Sequence, residues 1–266
     1  MSDSILVTKL FIPATRTELV SRSHLIEQLD HGFHNKLTLI SAPAGFGKTT
    51  LVTDWLQSHW LQSQGDDASP PFLVAWLSLD EGDNDPVRFL TYFVSALNRL
   101  QGLETEIGVG ALQMLQAPQL PSPEAILITL INELVLAPLK IVLILDDYHL
   151  IDSQSVHNGL NYLIENLPSQ VHLVIITRED PPIQIARLRS RGQLTELRAA
   201  DLRFSSAEAA EFLNQVMGLN LSETNISALE ACTEGWITGL QMAAISMQGS
   251  QDVEGFIESF TGSHRY

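Results

Sequence analysis

The residues with the clearest chemical meaning lie in one short segment, Ser41–Thr50. It has the sequence Ser-Ala-Pro-Ala-Gly-Phe-Gly-Lys-Thr-Thr and falls between an apolar run and a helical pattern. A glycine-containing loop in that context directs backbone N–H groups into a concavity at a helix N-terminus, which favours a polyphosphate. Gly45 and Gly47 allow backbone conformations that residues with a Cβ atom resist. We expect Lys48 to reach the β- and γ-phosphates of a nucleotide and the Thr49 hydroxyl to ligate Mg²⁺.

The predicted phosphate contacts cover consecutive residues: Ala44, Gly45, Phe46, Gly47, Lys48, Thr49 and Thr50. The segment departs once from the pattern G-x-x-x-x-G-K-[ST], because Ala42 stands at its first glycine. A predicted strand before it and a predicted helix after it favour a phosphate loop over an ordinary loop with an exposed lysine.

Two acidic residues, Asp146 and Asp147, end the apolar run Ile141–Leu145. At the end of a buried strand, Asp146 can hold Mg²⁺ through water, and Asp147 can orient or deprotonate an attacking water. Adjacent carboxylates in a dry site repel each other, so a metal and bound phosphates must stabilise them. A polar turn after a core strand is the alternative, and the phosphate loop upstream favours the functional interpretation.

Arg178 directly follows another apolar run, Val171–Thr177. If this strand lies between the first and third strands, its carboxyl end faces the γ-phosphate, on the usual ligand side of an open sheet. An arginine there can detect or stabilise the charge of the terminal phosphate. The alternative is a surface arginine paired with Glu179 or Asp180.

These residues need an α/β scaffold, and the sequence pattern predicts one. Apolar runs bounded by turn signals alternate with segments of helical period, which is typical of a mostly parallel sheet with helices between its strands. The predicted strands are 37–40, 72–77, 141–145, 171–177 and 194–197. The predicted helices between them are 51–62, 86–100 and 123–136.

The strands stop at Leu202, and the rest of the sequence is predicted to be helical. Ser205 and Glu208 have capping-box spacing ahead of a helix that reaches about Met217. Further helices are predicted over 222–235, 236–247 and 253–260. The segment 204–264 contains no lysine or arginine and eight acids, a shift in composition. We therefore predict a first domain over residues 1–202 and a small helical arm domain over 203–266.

Composition excludes several classes of function. Fifteen Lys and Arg residues stand against 31 Asp and Glu, a formal net charge of −16. Such a chain is a poor direct partner for nucleic acid, since affinity for the phosphate backbone comes from basic residues, and for anionic membranes. The apolar stretch 126–145 contains Asn132, Glu133 and Lys140, so no membrane span is expected. A single cysteine, Cys232, excludes an internal disulfide and favours a reducing, cytoplasmic location.

Taken together, these motifs resemble MalT-like, LuxR-type ATP-dependent regulators, which belong to the STAND class of P-loop NTPases. Alanine at the first glycine of the loop is a habit of that family. The other matching segments are 8–10 with 12–13, 19–22, 76–80 with 83–86, 145–149, 177–182, 191–194 and 233–236. The resemblance covers nearly the whole chain.

The resemblance implies a three-layer P-loop NTPase with strand order 5-1-4-3-2, followed by the helical arm or the start of a truncated winged-helix segment. It implies that Val20, Ser21 and Arg22 lie along adenine, and that Thr49 and Asp146 hold Mg²⁺. It assigns catalytic roles to Lys48, Asp147 as the water-directing acid and Arg178 as the sensor. In this class a proline that contacts nucleotide often follows Gly235-Trp236, and Ile237 stands there.

The resemblance also implies a switch. ADP holds a closed resting arrangement, ATP with an inducer permits opening and self-association, and slow hydrolysis resets it. Full-length members continue into a sensor and a DNA-binding helix-turn-helix, so this chain is expected to be a fragment or a truncated relative. The alternative function is a P-loop phosphotransferase acting on a small molecule. It needs an acceptor pocket and a basic lid, and basic residues are scarce outside 178–203. Direct DNA binding by this chain is disfavoured by its charge.

Overall fold

A computed structural model describes residues 5–15, 18–62, 72–100, 107–248 and 253–262. Within these ranges the chain forms a parallel sheet of five strands in the order β2-β3-β4-β1-β5. The predicted order 5-1-4-3-2 is the same arrangement described from the opposite edge, so this prediction is confirmed. The strands are β1 (Leu37–Ser41), β2 (Phe72–Ser78), β3 (Lys140–Asp146), β4 (Val171–Thr177) and β5 (Leu194–Arg198).

The helices, numbered in chain order, connect and follow these strands. They are α1 (Ser23–Gly32), α2 (Lys48–Gln62), α3 (Pro86–Asn98), α4 (Val109–Leu115), α5 (Pro123–Val135), α6 (Gln154–Glu165), α7 (Ile185–Ser190), α8 (Ala199–Leu202), α9 (Ser206–Glu211), α10 (Glu223–Thr233), α11 (Ile237–Met247) and α12 (Val253–Gly262). No helix of the described segments is long and apolar enough to cross a membrane.

Both faces of the sheet are covered, which makes the three layers that the fold class predicts. Alternate residues of β3 point to opposite faces, so Leu143 packs with α3, α5 and α6 while Ile144 packs with α1 and α2. Because each face is buried, β3 and β4 are apolar at five of their seven positions each. The paired register sets Ser41 of β1 opposite Thr177 of β4, so the carboxyl ends of the strands share one edge.

The helical arm, defined here as residues 203–262 of the described segments, has an apolar core of its own. Its buried residues include Phe204, Leu213, Leu229 and Leu240, and Val20 joins them from the N-terminal segment. The predicted capping box is present, since the Ser205 hydroxyl and the Glu208 carboxylate each bond the other residue's backbone N–H. Leu202 packs against the sheet instead, so the proposed division of the chain at 202 falls between two cores.

One predicted helix is interrupted. The pattern from Ser205 predicts a single helix to Met217, but α9 ends at Glu211 and a π-helical turn occupies Phe212–Val216. There the Met217 N–H bonds the Phe212 carbonyl at 2.8 Å, five residues back. The wider turn changes which side chains face the core. A pattern with a strict 3.6-residue period does not predict that change.

Buried His172 of β4 makes the stability of the sheet depend on pH. Its Nδ1–H donates to the Asn35 carbonyl at 2.8 Å and its Nε2 accepts from the Thr38 hydroxyl at 3.1 Å, so the neutral ring satisfies both partners. Burial lowers the pKa of His172 to about 4. The unfolded chain therefore takes up this proton near pH 6.5 and the folded chain does not.

We predict that acidification from pH 7 to pH 5 costs about 2 kcal/mol of unfolding free energy through His172 alone. Urea denaturation at both pH values measures the total change for the wild type and for His172→Gln. Because the variant lacks the titrating ring, its loss should be smaller by that amount. Equal losses in the two proteins would contradict the assignment.

Candidate functional site

The loop between β1 and α2 adopts a conformation that requires glycine at two positions. Gly45 has a φ of +80° and Gly47 a φ of +73°, in the left-handed region where a Cβ atom is strained. Helix α2 begins directly afterwards at Lys48, and the N–H groups of a first helical turn have no intrahelical partners. Loop and helix together present a cluster of donors suited to a polyphosphate.

The side chain of Lys48 folds back across this loop. Its Nζ donates to the carbonyl oxygens of Ala42 at 2.7 Å and Pro43 at 2.9 Å, and the residue is only 8% exposed. Burial lowers the pKa of Lys48, and the nearby Arg178 guanidinium lowers it further. A phosphate group beside both cations would relieve this cost, because it favours their charged forms.

Thr49 and Asp146 meet at the first turn of α2. The Thr49 hydroxyl donates to both carboxylate oxygens of Asp146, at 3.2 and 3.1 Å. Burial and the charge of Asp147 raise the pKa of Asp146 to about 6. The positive charge nearby therefore does not offset the cost of ionising this carboxylate. One carboxylate and one hydroxyl beside a phosphate loop fit Mg²⁺, which takes few protein ligands and completes its shell with phosphates and waters. These two predicted metal ligands are brought together.

Asp147 has the backbone strain often found at functional sites. Its φ of 58° is left-handed although it is not glycine. Half of its side chain is exposed, and its Oδ1 lies 3.8 Å from Nδ1 of His149. That nitrogen is buried and has no hydrogen-bond partner among the residues described. Burial and then Arg178 lower the pKa of His149, which favours the neutral ring. From the sequence, His149 is a candidate nucleotide contact, and a polar histidine in a turn is the favoured alternative.

Arg178 lies at the carboxyl end of β4, and β4 lies between β3 and β1, as its predicted role requires. Its side chain is exposed and makes no hydrogen bond or ion pair within the described part of the chain. The alternative pairing with Glu179 or Asp180 is not present among the described residues, and Asp180 pairs with Arg198 instead. Arg178 is close enough to lower the pKa of both Lys48 and His149, so its charge acts where a terminal phosphate would lie.

A cleft of about 530 Å³ opens from the phosphate loop between the sheet and the helical arm. Its walls come from three parts of the chain, and most of the side chains that line it are apolar. They are Glu18, Leu19, Val20, Arg22, Gly45, Gly47, Thr50, Leu51, Asp54, Phe204, Phe212, Val216, Met217, Ile237, Thr238 and Gln241. A mostly apolar cleft that continues from a cluster of N–H donors suits a base and ribose attached to phosphates.

The predicted phosphate contacts occupy different positions around this cleft. Gly45, Gly47 and Thr50 line it, whereas Lys48 and Thr49 face Asp146 and Arg178. Ala44 is exposed, and the half-buried ring of Phe46 packs against the core beneath α2. Ala44 and Phe46 therefore offer their backbone to a ligand rather than their side chains.

The N-terminal segment predicted to follow adenine lines part of the same cleft. Val20 is buried and lines the cleft, as does Arg22, while Ser21 is exposed and does not line it. The guanidinium of Arg22 forms hydrogen bonds at the start of the helical arm. It donates to Glu208 at 2.9 Å and to the carbonyls of Leu202 at 3.0 Å and Arg203 at 2.9 Å. The charge of Arg22 therefore joins the arm to the N-terminal segment.

Sequence reasoning missed Asp54 and most of the wall that the arm contributes. Asp54 is half-buried and has no bonding partner in the segments that the structure describes, and burial raises its pKa. Thr50, Leu51 and Asp54 share one face of α2, and their spacing three and four residues apart is the signal that could have found Asp54. Ile237, which stands at the family's proline position, lies against Gly47. No local pattern indicates Thr238 or Gln241.

We predict that Arg22→Met lowers the unfolding free energy by about 3 kcal/mol, because it leaves Glu208 and buried carbonyls without their charged partner. Urea denaturation at pH 7 measures the loss. Arg203→Met is the matched control, since the Arg203–Glu234 pair is exposed on both sides, and it should cost less than about 1 kcal/mol. Equal losses would show that Arg22 does not hold the arm.

The chain is similar in sequence to known proteins. The family model described as NACHT domain matches residues 36–218. The HTH-type transcriptional regulator MalT of Yersinia enterocolitica is 34% identical over 242 residues, 91% of this chain and 25% of the regulator. The serine/threonine-protein kinase PknK of Mycobacterium tuberculosis is 31% identical over 245 residues, 92% of this chain and 21% of the kinase. The chain thus spans about a quarter or less of the length of these relatives.

Among solved structures, the Aeropyrum pernix ORC1 protein in complex with DNA has a TM-score of 0.53 at 14% identity, covering 95% of this chain and 66% of that one. Cdc6p from Pyrobaculum aerophilum has a TM-score of 0.51 at 13% identity, covering 92% and 66%. At this identity the likeness concerns the fold alone. The family match covers the phosphate loop, the acidic pair and Arg178, so the chain belongs to the NACHT-domain family of P-loop NTPases, as a MalT-like nucleotide-binding part of the STAND class.

Proposed function

We propose that this chain is the adenine-nucleotide-binding switch module of a STAND-class transcription regulator, and that it hydrolyses ATP slowly. One observation carries the proposal. The glycine loop, with Lys48 and the Thr49–Asp146 pair beside it, borders a cleft that the helical arm also lines. A ligand with phosphates at one end and a base at the other fits that arrangement, and it touches both the sheet and the arm.

The adenine part of the proposal rests on the family. The cleft wall contains Val20 and Arg22 of the segment that follows adenine in the class, and MalT relatives match over 91% of the chain. Asp54 adds an acceptor to the same wall, and a ribose hydroxyl is a donor that suits an unpaired carboxylate. Lys48 and Arg178 bind the terminal phosphates from the other end.

Asp146 and Asp147 have different roles in the proposed hydrolysis. Mg²⁺, when bound, supplies positive charge to the β- and γ-phosphate oxygens. Asp146 and Thr49 would hold it, and Asp147 accepts a proton from the attacking water or orients it. Asp147 and Arg178 are both well exposed to solvent. Water around these groups weakens their electrostatic effect. We therefore expect slow ATP hydrolysis, which suits the resetting of a switch better than a metabolic reaction.

The proposed switch depends on a ligand in the cleft that contacts both the sheet and the helical arm. A ligand that contacts two bodies can shift their arrangement only by binding one arrangement better than another. ATP and ADP differ by the phosphate that Arg178 would contact, so they are suited to favour different arrangements. We place self-association with the ATP-bound form of the full-length protein, in the cytoplasm. A net charge of −16 argues that this region itself binds neither DNA nor membrane.

A small-molecule phosphotransferase is the second candidate, and one cavity favours it. A space of about 220 Å³ lies beside the ends of β3 and β4, lined among others by His149, Asp152 and Glu179. It has room for a small acceptor next to the expected position of the γ-phosphate. No lysine or arginine lines it within the described residues, so it lacks the basic lid of such enzymes. ATP consumption that depends on an added acceptor would support this candidate.

We predict that Lys48→Ala weakens ADP and ATP binding about 100-fold, the scale of losing charge-assisted bonds to phosphate. Isothermal titration calorimetry measures it. Lys36→Ala is the matched control, because Lys36 also donates to two backbone carbonyls, those of Ile164 and Glu165, but lies at the opposite ends of the strands. Unchanged affinity in Lys48→Ala, or no affinity in the wild type, would refute the proposed function.

We predict that Asp147→Asn lowers the rate of ATP hydrolysis by a factor on the order of 100, the lower end for loss of a general base, and leaves ADP affinity unchanged. Asparagine tolerates the left-handed backbone at this position, so the fold is preserved. Phosphate release under saturating ATP measures the rate. A variant that turns over like the wild type would remove Asp147 from the proposed chemistry.

A further inference from the structure

The beginning of α11 is hydrogen-bonded to the phosphate loop. The indole Nε1 of Trp236 donates to the Ala44 carbonyl at 3.1 Å. The Gly45 carbonyl accepts two bonds from Thr238, one from its hydroxyl at 3.0 Å and one from its backbone N–H at 3.2 Å. These contacts join residues more than 190 positions apart in the sequence.

Together with Lys48, these bonds engage the carbonyls of four successive loop residues. Lys48 takes those of Ala42 and Pro43, and the arm takes those of Ala44 and Gly45. In a trans peptide the C=O and the following N–H point in opposite directions. Each carbonyl held on the arm side therefore turns the next N–H away from the arm. For Ala44 and Gly45 these are the N–H groups of Gly45 and Phe46, which belong to the predicted phosphate contacts.

The approach of α11 to the loop is possible because residue 45 is glycine. A Cβ atom on Gly45 would lie 2.3 Å from the Thr238 hydroxyl and 2.8 Å from the Trp236 indole nitrogen. Gly45 thus serves two purposes, a left-handed turn and a close contact with the arm.

We propose that Trp236 and Thr238 are positioning residues of the phosphate site. They complete the loop from the arm, so the affinity for a nucleoside di- or triphosphate depends on the arm being seated on it. By thermodynamic linkage, phosphate bound in the loop holds the arm in place with the same coupling. This inference rests on the proposed function, and it adds the residues through which the phosphates and the arm communicate.

The proposal predicts a loss that depends on phosphate. Thr238→Val keeps the side-chain volume and the backbone bond but removes the hydroxyl, and Trp236→Phe removes only the indole donor. Each should weaken ADP and ATP binding about fivefold, as expected for one neutral hydrogen bond, and the double variant about 20-fold. Adenosine, which does not reach the loop, should bind all variants as it binds the wild type. Calorimetry with ADP and ATP, and competition by adenosine, measure these affinities on the whole chain.

Two controls separate positioning from general packing. Thr238→Ser keeps a hydroxyl and should restore wild-type affinity for ADP. Thr233→Val removes a comparable bond within the arm, from the Thr233 hydroxyl to the Leu229 carbonyl at 2.8 Å, and should leave ADP affinity unchanged. Thermal denaturation without nucleotide verifies that each variant is folded.

The outcomes distinguish this inference from the function on which it rests. If the wild type binds ADP, Lys48→Ala weakens that binding as predicted, and Thr238→Val and Trp236→Phe bind like the wild type, only this inference fails. It also fails if adenosine and ADP lose affinity equally, or if Thr238→Ser is as weak as Thr238→Val. A wild-type chain without ADP affinity overturns both.

Discussion

The structure depends on one constraint: the loop after β1 must present N–H donors to a ligand, so its carbonyl oxygens need partners elsewhere. Each peptide unit carries one donor and one acceptor that point in opposite directions, so directing the N–H groups at a ligand also fixes where the carbonyls point. Lys48 supplies partners for two of these carbonyls, and Trp236 and Thr238 supply them for the next two. The cation of the phosphate site and the helical arm therefore share the task of holding one short loop.

The sheet explains why the other groups converge on this loop. Parallel strands end at a common edge, and the order β3-β4-β1 sets the acidic pair, Arg178 and the loop side by side there. Burial then adjusts their charges. Burial and the charge of Asp147 disfavour the ionised form of Asp146. Burial and the charge of Arg178 disfavour the charged form of Lys48. A bound magnesium ion would favour the ionised form of Asp146, and bound phosphates would favour the charged form of Lys48.

Local chemistry made much of this predictable from sequence. The five strands lie within about a residue of their predicted bounds, and Gly45, Gly47 and Lys48 lie where their motif requires. Helices α1, α4, α6, α7 and α8 were not predicted, and α1 and α6 lack a side-chain N-cap bond that would mark their start. The bonds of Arg22, Trp236 and Thr238 were also missed, because they join distant segments and leave no local periodicity. The π-helical turn was missed because its period is not that of an α-helix.

The bonds of Arg22 to the arm have a mechanical consequence. They are charged, buried and gathered on residues 202–208, next to the point where the chain leaves the sheet. The bonds of Trp236 and Thr238 to the phosphate loop leave from the adjoining part of the arm, since the Phe204 N–H bonds the Gly235 carbonyl, and they are neutral and therefore about half as strong each. The two attachments therefore adjoin each other, and under load the weaker one yields first. Arg22 would thus keep the arm on the N-terminal segment when its contact with the phosphate loop is broken.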